Sequence, residues 1–344
     1  MTTQLDGSIG AKKETVYGTA VVVDQFIEYL DSSKFTYKPK YTQGAGMRVG
    51  SRVQRAARNG LARVKVGGSI GLEAPLKGLG LFLESALGSV TNTAVPSATG
   101  AFQQVHTVST TDPDVSYTIQ YGTPPLGGGT TLAQTFVGMQ CNSLELTAKA
   151  GEIVEISTDW AGKDMLTATA YATPSYPATQ DLFLFTQGVI ALGSGAVTPA
   201  TATALATGGT TVANVLEVSV KIDNGLDDVK PSLGAAGKRH RKAAFGEAKI
   251  TGKVTAEFDA ATYRDAHINR TNLGLLLTFT HTSLIGTGTP VAPILQVVIP
   301  VLKIEAELPS LSSGIFTQTI DFEGFSDLTN APIQFVYRTT DTTP

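Results

Sequence analysis

The chain has 344 residues, enough for two domains of ordinary size, and a formal net charge of −3. Its composition, 42% hydrophobic and 16% charged with 36 glycines, fits turn-rich β structure and excludes the highly charged, apolar-poor signature of disorder. The near-balanced charge excludes a protein that binds nucleic acid over its whole surface. The single cysteine, Cys141, excludes an intrachain disulfide and fits folding in a reducing cytoplasm.

The first half predicts an N-terminal arm with a first strand, residues 1–34, and then a β unit, residues 35–190. In this unit a glycine-dotted loop precedes Leu61–Leu72, where apolar and polar residues alternate as in a half-buried strand. Pro75 suits a first helical turn and Gly88 suits a C-terminal cap, so the sequence predicts a short helix between them. The loop carries four arginines: Arg48, Arg52, Arg55 and Arg58.

Residues 191–214 consist almost entirely of Ala, Thr, Gly, Ser and Val. Such low complexity is typical of a surface segment and marks the best boundary between the two halves. We expect this segment to be an exposed, mobile surface loop.

The second half, residues 215–344, predicts a second β unit on the same plan. Its cleanest signal is the strict alternation from Glu247 to Phe258, which indicates a strand with one face on a core and the other in water or on a partner. A helix is predicted from Asp259, which can cap it. A long loop before the strand carries Lys238, Arg239, Arg241 and Lys242. The fold class predicted is therefore mainly β: a duplicated sandwich or barrel unit, each half with one short helix and one long basic loop.

No catalytic or metal-binding residues are predicted, and no cofactor. The four histidines are widely scattered, and neither HExxH nor a paired CxxC occurs. The sequence also lacks a G-x-S-x-G nucleophile elbow, and its glycine-rich stretches lack the spacing of nucleotide-binding loops. Cys141 fits a small buried hydrophobic residue better than a reactive thiol. An enzyme is therefore disfavoured.

The cluster Lys238–Lys242 has three readings. It fits a nucleic-acid or anion patch, a solvated hairpin tip, or a surface that docks on acidic residues of another copy of the chain. The third is favoured, because the first half carries a matching arginine loop at the same place in its plan.

Several segments, in their order along the chain, make it resemble the major tail tube proteins of long-tailed, siphovirus-type bacteriophages. The segments that carry this resemblance are residues 10–20, 71–88, 138–152, 222–226 and 254–259.

The resemblance implies a structural virion protein. Such proteins form rings of six-fold or pseudo-six-fold symmetry, stacked into a hollow tube around a tape-measure protein, and DNA later passes through the lumen. It also implies an inner wall made by joining sheet edges of neighbouring subunits. Further expected partners are the tail terminator and tip proteins, with assembly in the host cytoplasm and no membrane contact.

DNA carries about one negative charge per 1.7 Å of its axis, so a cationic lumen would retain it. We therefore expect the eight basic loop residues to contact the acidic rim of the next ring rather than the lumen. The wall should be neutral or acidic, with Glu145, Glu217 and Glu257 as lumen-facing candidates. If each half supplies one wall unit, three chains complete a ring; otherwise six are needed, and three is slightly favoured.

Other classes remain open at this point. A β-sandwich binding module would favour an aromatic platform, yet aromatic residues are only 7% of the chain and Trp160 is the single tryptophan. Another virion part, a tail terminator or a decoration protein, is a closer alternative.

Overall fold

The computed structural model describes six segments of the chain: residues 6–178, 181–212, 214–227, 230–257, 262–306 and 317–344. It is mainly β. Its strands are β1 Ser8–Lys13, β2 Gln25–Ile27, β3 Lys34–Gln43, β4 Asn59–Glu73, β5 Gly88–Ala94, β6 Ala98–Thr99, β7 Phe102–Val108, β8 Tyr117–Thr123, β9 Leu132–Lys149, β10 Glu155–Gly162, β11 Asp164–Leu166, β12 Gly188–Gly193, β13 Val197–Thr198, β14 Thr207–Gly208, β15 Val215–Asp223, β16 Lys249–Glu257, β17 Leu273–Thr280, β18 Thr287–Gly288, β19 Ile294–Ala306, β20 Thr317–Gly324 and β21 Gln334–Thr339. The helices are α1 Gly80–Leu87 and α2 Thr262–Ile268, with 3₁₀ turns at Ala56–Arg58 and Phe185–Gln187.

Eight antiparallel strands form the largest continuous layer, in the order β3-β4-β10-β9-β15-β16-β20-β19. A second run, β12-β17-β19-β21-β7-β5, shares β19 with it. A third, β2-β1-β8-β9-β11, shares β9. The two long strands β9 and β19 therefore each pass from one layer into another.

The main core lies on one side of the eight-stranded sheet. Leu144, Ile156 and Val220 come from that sheet and belong to the same buried cluster as Leu277 of β17 and Phe335 of β21. Strands β15 and β16 alternate because only one of their faces is buried. Strand β17, Leu-Gly-Leu-Leu-Leu-Thr-Phe-Thr, is nearly continuous in apolar residues because both of its faces are covered.

The segment 191–214 is packed more closely than its composition predicts. Ala200 and Ala206 are buried against the outer face of the second run of strands. The amides of Gln334 and Gln296 bond to the backbones of Ala200 and Ala206, respectively. Small residues and buried glutamines thus hold this segment against the sheet, although it was expected to be an exposed loop. Its first residues, 191–193, belong to β12.

Helix α1 begins at Gly80, five residues after the predicted start. The residues before it are held extended, because Ala74 N–H donates to the Val154 carbonyl and Leu76 N–H to the Asp181 carbonyl. Gly88 caps the helix in the left-handed conformation, as predicted. The predicted start of the second helix, Asp259, and the end of the alternating strand, Phe258, lie outside the described residues.

Candidate assembly surfaces

A hairpin formed by β3 and β4 projects from the end of the eight-stranded sheet. We call residues 38–63 the projecting hairpin. Its stalk is exposed on both faces near the tip, since the consecutive residues 38–42 of β3 and 59–62 of β4 are all exposed, and at its tip Met47 and Val49 are fully exposed. Exposed large apolar side chains concentrated on one protrusion are typical of a contact surface.

The projecting hairpin is strongly cationic. Nine Lys and Arg and no Asp or Glu occur between residues 32 and 72. Arg58 donates to the Gly46 carbonyl at 2.9 Å and so closes the loop, and Gly50 takes φ 80° in the Arg48–Ser51 turn. Within the described part of the chain, no carboxylate lies within ion-pair distance of the four loop arginines. Their charge is therefore available to a partner.

The second basic loop, residues 224–248, is instead folded back on its own chain over its described parts, residues 224–227 and 230–248. Lys238 pairs with Asp164, Lys242 with Asp114 at 2.7 Å, and Arg241 with Asp227 at 2.8 Å. The backbone takes part as well, since Val64 N–H donates to the Gly237 carbonyl.

Arg239 of the same loop lies close to the hydroxyl of Tyr17. Burial raises the pKa of Tyr17 to about 12, and the positive charge of Arg239 opposes that rise. The predicted basic residues thus fall into two groups. Arg48, Arg52, Arg55 and Arg58 face outward, whereas Lys238, Arg241 and Lys242 are ion-paired within the chain and Arg239 is half-buried beside Tyr17.

The eight-stranded sheet has one polar face, opposite the core. Glu145 of β9, Glu217 of β15 and Glu257 of β16 all lie on it, as cross-strand pairing and alternating burial show. Its ten carboxylates are balanced by nine lysines and one arginine, so the face is neutral overall. The carboxylates are Glu73, Glu145, Glu155, Asp159, Glu217, Asp223, Glu257, Glu305, Asp321 and Glu323; the basic residues are Lys34, Lys38, Lys40, Arg63, Lys65, Lys149, Lys221, Lys249, Lys253 and Lys303.

The two ends of this sheet differ in charge. Strand directions place the projecting hairpin at one end and the β9–β10 turn at the other. We call that second end the acidic rim, because it is rich in glutamate. It also contains Lys149, whose Nζ is 3.7 Å from Oε1 of Glu217. The rim consists of Glu73, Glu152, Glu155, Glu217 and Glu257.

The sheet also has two open sides. Within the described residues, β3 pairs only with β4, and residues 303–306 of β19 pair only with β20. An exposed edge strand presents backbone groups that can pair with another chain.

The titratable groups elsewhere serve the fold. Burial lowers the pKa of His106 to about 3 and raises the pKa of the Cys141 thiol to about 12, so both are neutral in the core. Among the described residues, no group of three or more His, Cys, Asp or Glu side chains is arranged to hold a metal ion. No helix there is long and apolar enough to cross a membrane.

Sequence reasoning expected an acidic rim but did not identify the residues that form it, and it did not single out Lys38 and Glu305 on the open sides. A signal was present: the acid-free stretch between Asp31 and Glu73 contrasts with glutamates placed at strand ends. Which of these ends meet in space depends on strand pairing, which the sequence pattern does not specify.

The family model described as phage tail tube protein matches residues 4–324, nearly the whole chain. No curated protein gives a significant match.

Proposed function

The chain belongs to the phage tail tube protein family, and from this premise we propose that it is the major tail tube subunit of a long-tailed phage, closing into rings that stack into the tube through which DNA leaves. As a member of this family it is a structural component of the phage tail. Ring closure, stacking and DNA passage are the proposal.

The observation that carries the proposal is the opposite charge of the two ends of one sheet. The projecting hairpin offers four loop arginines that pair with no carboxylate among the described residues, and the acidic rim lies at the far end of the same strands. Copies stacked head to tail would bring hairpin and rim together. Partly desolvated, charge-assisted hydrogen bonds are stronger than exposed ion pairs, which contribute about 0–1 kcal/mol. The stacking role is therefore assigned to Arg48, Arg52, Arg55 and Arg58, while the second basic loop supports the subunit from within.

The polar face would form the lumen wall, with Glu145, Glu217 and Glu257 in it. Its acidic and basic side chains balance at ten each, so it would neither bind DNA tightly nor strongly repel it. The segment 191–214 covers the outermost layer on the opposite side of the core. It would therefore lie on the outside of the tube.

The pairing order supports a duplicated wall unit. The groups β3-β4-β10-β9 and β15-β16-β20-β19 have the same internal pairing, with Gly68 opposite Trp160 in the first and Gly252 opposite Phe322 in the second. The sequences Asp159-Trp-Ala-Gly162 and Asp321-Phe-Glu-Gly324 correspond. Each chain would then supply two wall units, and three chains would close a pseudo-six-fold ring.

The proposal implies further partners. A tape-measure protein would fill the lumen during assembly in the host cytoplasm, and terminator and tip proteins would bind the two ends of the tube. DNA would pass without specific binding, in keeping with the nearly neutral polar face.

Electron microscopy of the purified protein, concentrated at low and moderate salt, tests the proposal. We expect stacked tubes with three chains per ring. Replacing Arg48, Arg52 and Arg55 with Glu should abolish tubes and leave a folded subunit with an unchanged circular dichroism spectrum. The matched control replaces the same three residues with Lys, which keeps the charge and should keep the tubes.

Other outcomes separate the alternatives. Single rings that never stack would favour a terminator, and monomers at every concentration would favour a decoration protein or a binding module. Normal tubes from the Glu triple variant would show that the hairpin charges do not mediate stacking.

A further inference from the structure

The chain contains one junction between its two four-stranded groups, where β9 pairs with β15. The outer strands of the same groups, β3 and β19, are left open within the described residues. We propose that β19 of one subunit pairs with β3 of the next in the register of the internal junction, placing Glu305 opposite the neighbour's Lys38. This inference rests on the proposed ring assembly and specifies its lateral contact.

The position of Lys38 follows from its strand partners. Phe35 lies opposite Gly68 as Val220 lies opposite Gly252, so β3 corresponds to β15 in this alignment. Lys38 is three residues after Phe35 and Asp223 is three residues after Val220, so Lys38 corresponds to Asp223. Lys38 lies opposite Lys65 and Asp223 lies opposite Lys249, so both have a lysine as cross-strand partner.

The position of Glu305 follows in the same way. Asp159 lies opposite Ser143, and Asp321 lies opposite Glu305. Glu305 therefore corresponds to Ser143. Since Ser143 faces Asp223 across the internal junction, Glu305 faces Lys38 across the junction between subunits.

The charges on the two open sides agree with this register. Glu305 lies directly opposite another carboxylate, Asp321, and Lys38 lies directly opposite another lysine, Lys65. Glu305 and Lys38 are both exposed. Like charges opposite each other destabilise a sheet. Joining the two sides would bring an acidic pair to a basic pair and relieve both repulsions.

Hydrogen bonding at the end of the proposed β19–β3 contact is also consistent with this register. At the internal junction, Asn224 follows the last paired residue of β15, and its Nδ2 donates to the Cys141 carbonyl at 3.2 Å. Pro39 occupies the place of Asn224 in β3 and has neither an N–H nor a polar side chain. The carbonyl equivalent to that of Cys141 belongs to Ile304, and it is bonded within the chain by His267 Nδ1 at 3.0 Å. The Ile304 carbonyl therefore has a hydrogen-bond partner within its own chain, and it does not need the donor that Pro39 of the neighbouring subunit lacks.

The register also fixes the type of pair. At the internal junction Ala150 N–H donates to the Leu216 carbonyl and Asn224 N–H to the Asn142 carbonyl. By alternation, Ser143–Asp223 is a non-hydrogen-bonded pair, and so is its equivalent Glu305–Lys38. The side chains of such pairs are the closest across antiparallel strands, within the range that a disulfide spans.

Disulfide trapping tests the register on the full chain. Glu305→Cys combined with Lys38→Cys, assembled and mildly oxidised, should give a covalent species of three chains on a non-reducing gel. The matched control pairs Glu305→Cys with Thr36→Cys, two residues along the same face, and should cross-link at least about tenfold less, because diagonal side chains lie farther apart. The native Cys141 is buried and does not compete.

A charge swap covers the case in which the cysteines impair assembly. Glu305→Lys alone and Lys38→Glu alone should each reduce ring formation, and the two together should restore it. Tubes that form without the Lys38 cross-link, or that cross-link better through Thr36, would overturn the register and leave the tube function standing. A wild-type protein that forms neither rings nor tubes would overturn the proposed function itself.

Discussion

The two basic loops occupy the same place in their hairpins but have different surroundings. Both follow the first strand of a β hairpin; the first carries four arginines and the second carries five Lys or Arg residues. Among the described residues, no carboxylate lies within ion-pair distance of the four arginines in the loop of the projecting hairpin, and these arginines face solvent. The second loop has Asp114, Asp164 and Asp227 beside it, so three of its cations form ion pairs and hold the loop on the body of the protein.

This difference shows that a run of positive charge does not by itself define a docking surface. What matters is whether the same chain neutralises it. In the second loop the carboxylates come from distant positions, such as Asp114 and Asp164. In the first, no acidic residue lies between positions 32 and 72, and no described carboxylate from elsewhere in the chain is within ion-pair distance of the four arginines, which leaves their charge to a partner.

Limited trypsin digestion gives the largest expected contrast. In the free subunit, trypsin should cleave after Arg48, Arg52 or Arg55 at least about tenfold faster than after Arg241 or Lys242, because the exposed tip needs little local unfolding. Assembly into tubes should protect the first loop and leave the second unchanged. Mass spectrometry of the fragments locates the cuts. Equal cleavage of both loops in the free subunit would contradict the comparison.

Removing the best-buried ion pair should destabilise the fold by about 2 kcal/mol. The Asp164 side chain is 11% exposed and that of Lys238 is 35% exposed, so Lys238→Ala leaves a largely buried carboxylate without its partner. Chemical denaturation measures the loss. Arg52→Ala on the projecting hairpin is the control and should change stability by less than about 0.5 kcal/mol. Adding Asp164→Asn to Lys238→Ala should recover part of the loss; no recovery would mean that the charge of Asp164 is not the cause.

Local patterns predicted much of the secondary structure. The alternation of polar and apolar residues predicted strands β15 and β16, because burial on one side of a strand imposes a period of two residues. Glu145, Glu217 and Glu257 were assigned to strands, and these strands share one polar face. The left-handed cap at Gly88 was also predicted, since few other residues adopt that conformation readily.

The remaining features depend on contacts between distant positions. The second loop is held by Asp114 and Asp164, and the segment 191–214 is fastened by Gln296 and Gln334, all far from these segments along the chain. The amino-acid composition of a segment does not indicate which distant side chains will form hydrogen bonds or ion pairs with it. The same holds for β9 and β19, whose halves belong to different layers.

Acid should loosen the second loop by a small amount and leave the first unchanged. Hydrogen bonding to Lys242 lowers the pKa of Asp114. Partial burial would raise the pKa of Asp227, but hydrogen bonds from Arg241 and the Ala244 N–H outweigh it, and the net shift is downward. A carboxyl with a lowered pKa stabilises the fold above its unfolded value of about 3.9, and this contribution is lost as the pH falls through the folded value.

Hydrogen exchange at pH 6 and pH 3, corrected for intrinsic rates, measures the effect. Protection of residues 230–248 should fall about two- to fivefold, the size expected for exposed pairs. Protection of residues 44–58 should not change, because that loop contains no carboxylate to protonate. Asp114→Asn at pH 6 should reproduce part of the acid effect in the second loop alone. An equal loss of protection in both loops would show that acid loosens the whole subunit rather than these ion pairs.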